Sequence, residues 1–529
     1  MQLVDQGNVV ASTTTDPGGN YQLTVNFLST IGTSGFQIKV GFLPYDYATA
    51  EGPTADSDID MYGFTAPFAL AAGAQVQKKA GLASMNVTTT DDDPNGAIAG
   101  KITLRDAIKT GNAGNFPVLP QGSTPDVTFY SAPGTPVSGT ITLKAALPAL
   151  EKSYDIVGPG ASTLIVNGNW DAGTVFTVNG GVTSAISGLT VQGGSSADGG
   201  GVLNNGNLTL RNDIIGNGGM KNQVTGDGGG VFNASRAELE LQTTQIIDNT
   251  AEGRGGGLMN LGTVTIYNGV KIDFNTSGNG GAGISNASGA SLSAQSYVEI
   301  DGNTDTSSTG GGGVENRNGR FQILDGGEIS YNKSAGNGGG VFNTGVTMTL
   351  QGVQLGVDTA AVRGGGVFVS TGSVTLTDVL IGAKNKAIEG GGMAVLGGTV
   401  KMSGGGITQN TALFTGRTGG GRLASGGGGG LFVAGGNVTL TRGVSINSNW
   451  SNFDGGGVFN STGGTLTLND NINIGSNHAN DQGGGMYFDG TAPPSTTNFN
   501  GVTVDGNVAL AIAGGATPAQ ASTNRSGPL

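Results

Sequence analysis

Between residues 200 and 510, short apolar runs alternate with polar turns in a phase that hardly drifts. Three glycines precede an aliphatic residue at Val202, Val231, Leu258, Ile284, Val314, Val341, Val367, Met393, Leu431, Val458 and Met486, with Ala282 replacing the middle glycine once. The steps run from 26 to 30 residues, apart from one of 38. A second apolar stretch follows, such as Thr347-Met-Thr-Leu350, and then a third, such as Val353-Gln-Leu355. Alternation with a period of two marks strands. A period in the twenties marks a solenoid, in which a coil buries its apolar face only against its neighbours. The pattern predicts three short strands per coil, stacked in parallel, so that eleven coils rise about 50 Å.

The residue after the glycines is always aliphatic and is expected to face inward. Two positions on, the side chain faces inward again. There the chain places Asn204, Asn233, Asn260, Asn286, Asn316, Asn343 and Asn460, with Val369, Val395, Val433 and Phe488 elsewhere. Carboxamides stacked at one strand spacing bond to the coils above and below, so these positions predict a buried Asn ladder. A second set, Asn249, Asn275, Asn303, Asn332, Asn410, Asn449, Asn477 and Asn507, each lies three after Ile or Val. It is read as structural, with the Asn itself supplying a left-handed corner.

The rest of the chain departs from this period. Residues 1–84 contain Asn8-Val-Val-Ala-Ser-Thr-Thr-Thr15 and Tyr21-Gln-Leu-Thr-Val25, joined by the turn Asp16-Pro-Gly-Gly-Asn20. That is a β-sandwich pattern. Residues 85–125 read as an entry cap. Thr103-Leu-Arg-Asp106 has capping-box spacing, and Leu104, Ala107 and Ile108 form one apolar stripe, which predicts a short helix to about Lys109. The β-helix is assigned to 126–510, with about three founding coils before residue 200, and 511–529 is a tail or linker.

Three resemblances attach to these segments. Gly7-Asn-Val-Val-Ala-Ser-Thr-Thr-Thr-Asp16, Thr54-Ala-Asp-Ser-Asp-Ile-Asp60 and Pro67-Phe-Ala-Leu-Ala-Ala-Gly73 resemble B-type repeat domains of serine-aspartate repeat surface proteins, with the opening strand of that family missing. Leu104-Arg-Asp-Ala-Ile108 resembles the leader of bacterial β-helix proteins, with Ile102 and Thr103 in place of its Cys and Ser. The Gly-Gly-Gly-aliphatic and Ile-x-x-Asn pair resembles the repeats of polymorphic outer-membrane proteins. Together they imply an all-β, right-handed parallel β-helix with a small N-terminal β-sandwich module, exported to the cell surface or medium as part of a longer polypeptide.

Charge and composition narrow the chemistry. A net charge of −13, from 24 basic and 37 acidic residues, makes nucleic acid a poor partner. Cys is absent, so disulfides and thiolate metal sites are excluded. No run of about 18 apolar residues provides a transmembrane segment. No cofactor is required by any motif. Asp56, Asp58 and Asp60 alternate in an acidic loop that could converge on calcium, as the resembling domains imply.

Candidate binding residues come from the position between the inward pair. Phe342, Phe368, Phe432, Phe459 and Tyr487 are expected to point outward, and Phe432, Phe459 and Tyr487 fall on consecutive coils. Such a row would stack on glycans or dock another cell-surface protein, unless a neighbouring loop covers it, and coil stacking would also permit self-association. Asp248 and Asp273 fall in nearly equivalent sites, with Asp301 nearby, and His478 lies in a turn without an obvious partner. The 38-residue step lengthens one loop near Thr411 to Ser425, with Phe414, Arg417 and Arg422. The expected function is a non-enzymatic structural or adhesive segment. The alternatives are a polysaccharide lyase, a glycoside hydrolase or a carbohydrate-binding module.

Overall fold

The computed structural model describes residues 85–510, apart from residues 96–97, 115–123, 133, 268, 415–425, 462 and 490–495, together with four short strands before residue 65. Those strands, Gln2–Asp5, Asn8–Ser12, Phe36–Val40 and Gly63–Phe64, form one antiparallel sheet. The remainder of the expected sandwich lies outside the described residues, as do Asp56, Asp58 and Asp60.

From residue 126 the chain winds into a parallel β-solenoid of about 13 turns. One coil shows how. Val341–Asn343 is followed by Thr347–Gln351, Val353–Gly356 and Thr359–Ala360. A coil therefore has four strands, where the pattern predicted three. Gly352, at φ +64, makes the corner between the second and third with a single residue, so both lie in one continuous wall. The fourth is two residues long, too short to leave an alternating signature. Strands of the first kind stack into one 12-stranded sheet, and those of the fourth kind into another. The middle strands share a 28-stranded sheet with the founding strands. Inside run aliphatic columns such as Val314, Val341, Val367 and Met393, all fully buried.

Each glycine triplet serves two purposes. Its first member has positive φ in every coil but that of Gly311, as at Gly338 and Gly364, both +64, where other residues are strained. The next two lie against the coil above: a Cβ on Gly340 would sit 2.7 Å from the Gly366 oxygen. That closeness lets amides bond along the solenoid axis, as from Gly339 N to Gly364 O at 3.1 Å and Val341 N to Gly366 O at 2.8 Å.

Two amide ladders run through the interior. In the first, Nδ2 of Asn204, Asn233, Asn260, Asn286 and Asn316 donates to Oδ1 of the next Asn at 2.8–2.9 Å, ending on Asn343. Asn343 instead donates to the Thr371 oxygen, because Val369 holds the ladder position above it. Asn460 is buried at the same position four coils on. In the second ladder, Asn222, Asn249, Asn275 and Asn303 each donate Nδ2 to the next coil's amide at 2.9–3.0 Å. Asn332 donates at 3.1 Å to Asp358. The left-handed corner belongs to the preceding residue, such as Phe274 at φ +56 or Tyr331 at +55, and not to the Asn. Buried amides stay paired because the corner is made elsewhere.

The helix Leu104–Asn112 covers the first coils. Thr103 and Asp106 form the reciprocal capping box, and the stripe of Leu104, Ala107 and Ile108 joins the core. The helix runs one turn past Lys109 because Gly111 lets the Tyr154 ring approach: a Cβ there would lie 2.7 Å from it. Arg105 anchors this cap. It makes a two-pronged ion pair with buried Asp92 at 2.8 and 2.9 Å and donates to the Ala145 and Ala146 carbonyls.

Candidate functional site

The aromatic row expected on the surface is not there. Phe342, Phe368, Phe432, Phe459 and Tyr487 are 0–7% exposed and form a second, smaller core with Ala394. The rings stack on one another, with centroids 5.4 Å apart for Phe432–Phe459 and 5.1 Å for Phe459–Tyr487. The left-handed glycine opening each triplet carries the chain back over them: a Cβ on Gly455 would lie 2.9 Å from Phe459 Cβ. Sequence alternation gave the direction of these side chains but not the loop that covers them. Phe414 packs on Phe453 with centroids 5.5 Å apart, whereas Arg417 and Arg422 lie outside the described residues.

A different wall gathers polar chemistry. Strands Val270–Asp273, Val298–Asp301 and Gly327–Ser330 lie side by side in parallel register. Val270, Ile272, Val298, Ile300 and Ile329 point inward and are buried. The alternate residues lie on the other side of the wall, where Lys271, Glu299, Asp301 and Glu328 are partly exposed while Asp273 and Ser330 are covered. Lys271, Glu299 and Glu328 form one column, and Asp301 pairs with Ser330 in the next. Asp273 joins the second column, where its Oδ1 accepts the Asp301 amide at 3.0 Å. Asp248 does not belong to it: Ile247 pairs with Asp273, and Asp248 occupies the left-handed corner that Phe274 occupies one coil later.

Charges in this strip act on one another. Lys271 pairs with Glu299 at 2.5 Å, which raises the Lys271 pKa. Burial pushes Asp273 up to about 7, helped by the neighbouring charges of Glu299 and Asp301. Burial also raises Asp301 and Tyr297, the latter with Glu328 and Glu299 adding to the effect. A carboxyl that stays protonated near neutrality thus lies beside an acid paired with a lysine. Among the described residues, no group of three or more His, Cys, Asp or Glu is gathered closely enough to hold a metal ion.

Aromatic rings border the strip on both sides. Tyr297 precedes its strand and is 50% exposed, while Phe274 and Tyr331 follow theirs at 60% and 55%. The left-handed backbone at Phe274 and Tyr331 turns these rings out over the wall. Gly302 lies between them, and a Cβ there would come 2.6 Å from the Phe274 ring. Glycine thus leaves room for the ring to lie across its coil. Phe274 and Tyr331 are two coils apart, about 10 Å along the axis. Sequence reading identified the aspartates but not these rings, because the corner residue has no fixed type from coil to coil. The signal was present as aromatic residues directly before Asn275 and Asn332.

His478 is not an isolated turn residue. It lies in the short strand His478–Ala479, stacks on Trp450 with ring centroids 3.8 Å apart, and its Nε2 contacts Asn480 Oδ1 at 3.2 Å.

No family model matches the chain, and no curated protein matches it. Among solved structures it is similar to the catalytic domain of a GH87 alpha-1,3-glucanase in complex with nigerose. The match has 12% identity and a TM-score of 0.33, covering 83% of this chain and 72% of that one. A substituted variant of the same domain gives the same identity and coverage with a TM-score of 0.34. No helix of the described residues is long and apolar enough to cross a membrane.

Proposed function

We propose that the protein is an extracellular or cell-surface β-helix that holds a carbohydrate chain along the wall of Val270–Asp273, Val298–Asp301 and Gly327–Ser330. One observation carries the reading: a strip of acidic residues on three consecutive coils, Asp273 covered and Glu299, Asp301 and Glu328 partly exposed, bordered on both sides by exposed aromatic rings. Carboxylates accept hydrogen bonds from sugar hydroxyls, and aromatic faces cover the apolar faces of pyranose rings. Rings on both sides define a track parallel to the solenoid axis. The test is affinity electrophoresis through gels containing soluble glucans, xylan or glycol chitin. The wild type should be retarded by at least one polymer, and a Phe274→Ala, Tyr331→Ala variant should be retarded measurably less. Unretarded wild type, or a variant retarded equally, rejects the assignment.

A second reading, glycosidic-bond hydrolysis, is favoured by Asp273. Burial pushes its carboxyl up to about 7, so near neutrality it retains part of its proton beside Glu299 at the edge of the strip. Acids on adjacent coils have backbones about 4.8 Å apart. Paired carboxyl groups of glycosidases stand about 5 to 10 Å apart. Release of reducing ends that disappears in Asp273→Asn, with gel retardation intact, supports hydrolysis. Retardation without any release leaves a binding module.

A further inference from the structure

A second surface lies in the sheet of short strands, near the C-terminal end. Its first outward position is occupied by Thr250, Thr276, Thr304, Lys333, Thr359, Lys386 and Thr411 on successive coils, and then changes to Trp450, His478 and Val508. The indole and imidazole stack at 3.8 Å with 18° between their planes. Each ring is held by a carboxamide two residues on: Trp450 Nε1 donates to Asn452 Oδ1 at 3.1 Å, and His478 Nε2 contacts Asn480 Oδ1 at 3.2 Å. The main chain carrying these carboxamides is fixed, because the backbone Asn452 N and Asn480 N donate to the Ala412 and Ser451 oxygens of the coil below at 3.0 Å. Despite this support Trp450 remains 41% exposed, with Leu413 at 42% and Val508 at 46% on either side.

Leu413, Trp450 and Val508 on neighbouring coils together expose apolar surface, and a grouped apolar patch marks a binding site where single exposed residues do not. We infer that Trp450 and His478 form a binding platform for a neutral oligosaccharide, separate from the carboxylate strip and independent of its assignment. The chemistry selects the occupant. The rings offer flat apolar surface, and the two carboxamides beside them offer hydrogen bonds to hydroxyl groups. The surface offered by Leu413, Trp450, Asn452, Asn480 and Val508 is uncharged, which suits a neutral sugar. From Thr411 to Val508 the patch spans three coil steps, about 14 Å, enough for two or three pyranose rings.

The chain has two tryptophans, Trp170 and Trp450. A Trp170→Phe variant therefore makes Trp450 the sole indole reporter. Its emission should shift on titration with at least one of cellohexaose, xylohexaose, laminarihexaose or chitohexaose. His478→Ala should weaken that response at least fivefold, and Phe274→Ala with Tyr331→Ala should leave it unchanged. No shift with any of the four sugars overturns the platform. So does a shift that His478→Ala does not weaken, or one that the strip variant abolishes. Concentration-dependent association in sedimentation, lost in Trp450→Ala and unaccompanied by any sugar response, overturns it in favour of contact between copies.

Discussion

Replacing Asp358 by asparagine should stabilise the solenoid at neutral pH. Asp358 is fully buried and occupies a position in the second ladder that other coils give to Asn. Its Oδ1 accepts from Asn332 N at 2.9 Å and Asn332 Nδ2 at 3.1 Å, and its own amide donates to Asn385 Oδ1 at 2.8 Å. Its Oδ2 has no hydrogen-bonding partner. In the neighbouring coil the corresponding atom is the Asn385 amide nitrogen, which donates to the Leu355 carbonyl at 3.0 Å. Burial holds the Asp358 carboxyl well above the usual carboxylate range. Folding above the ordinary Asp value therefore binds a proton that the unfolded chain has released. That costs about 1.4 kcal/mol for each pH unit between the ordinary Asp value and the working pH, as long as the folded carboxyl stays neutral. Stability accordingly falls as pH rises through this window and is independent of this group below it. Asparagine has no such proton and supplies a donor, which for a buried polar atom is worth about 1–3 kcal/mol. Asp358→Asn should gain about 1–3 kcal/mol at pH 4, from the added donor alone, and more at pH 7, the excess growing by about 1.4 kcal/mol per pH unit while the folded carboxyl keeps its proton. Coils open locally, so hydrogen exchange read by mass spectrometry on peptides spanning 332–385, corrected for intrinsic rates at each pH, measures the difference. A variant less stable at pH 7, or a gain of equal size at both pH values, would refute this account of the ladder.

Four other outcomes follow from the same geometry. Asn286→Ala strands the amides of Asn260 and Asn316 and should cost about 2–4 kcal/mol in urea unfolding. Gly230→Ala places a methyl 2.7 Å from the Gly257 oxygen and 2.8 Å from Ile246. It should lower the melting temperature through overpacking worth about 1–3 kcal/mol, whereas Gly219→Ala, which meets nothing within 4 Å, should not. Arg105→Met leaves Asp92 buried without its ion pair and should cost about 3–5 kcal/mol, seen as proteolysis beginning at the helix Leu104–Asn112. Asp273 should titrate by carbon-detected NMR with a midpoint of about 7. Neutralising Glu299 or Asp301 as the amide should lower that midpoint, because their charges help to raise it.

The solenoid was legible because its cause is periodic. A triplet of glycines every 26 to 30 residues announces both the corner and the close approach of successive coils. Asn204 to Asn343 could be placed inward because a period of two puts them on the same side as Val202 to Val341. The fourth strand was hidden, since two residues such as Thr359 and Ala360 cannot show an alternation. The candidate site was half visible. Asp273 and Asp301 stood out as acids at similar phase, but a phase error of one residue put Asp248 beside them and concealed Phe274 and Tyr331. Phe459 and Tyr487 were misjudged for a different reason: pointing away from one core says nothing about a second core formed by glycine loops. Periodicity reports direction, whereas exposure depends on what the neighbouring turn does.

The bonds between glycine amides of adjacent coils run the length of the rod, from Gly199 N to Asp227 O at one end to Val458 N to Gly485 O at the other. Each joins only consecutive turns, so one whole turn can be duplicated or excised in a gene without changing the contacts of distant ones. Such edits preserve phase only when they come in full circuits. The acidic strip of Glu299 and Asp301 and the stacked pair of Trp450 and His478 sit on separate turns, so lineages could lengthen the spacer between them while leaving either surface untouched.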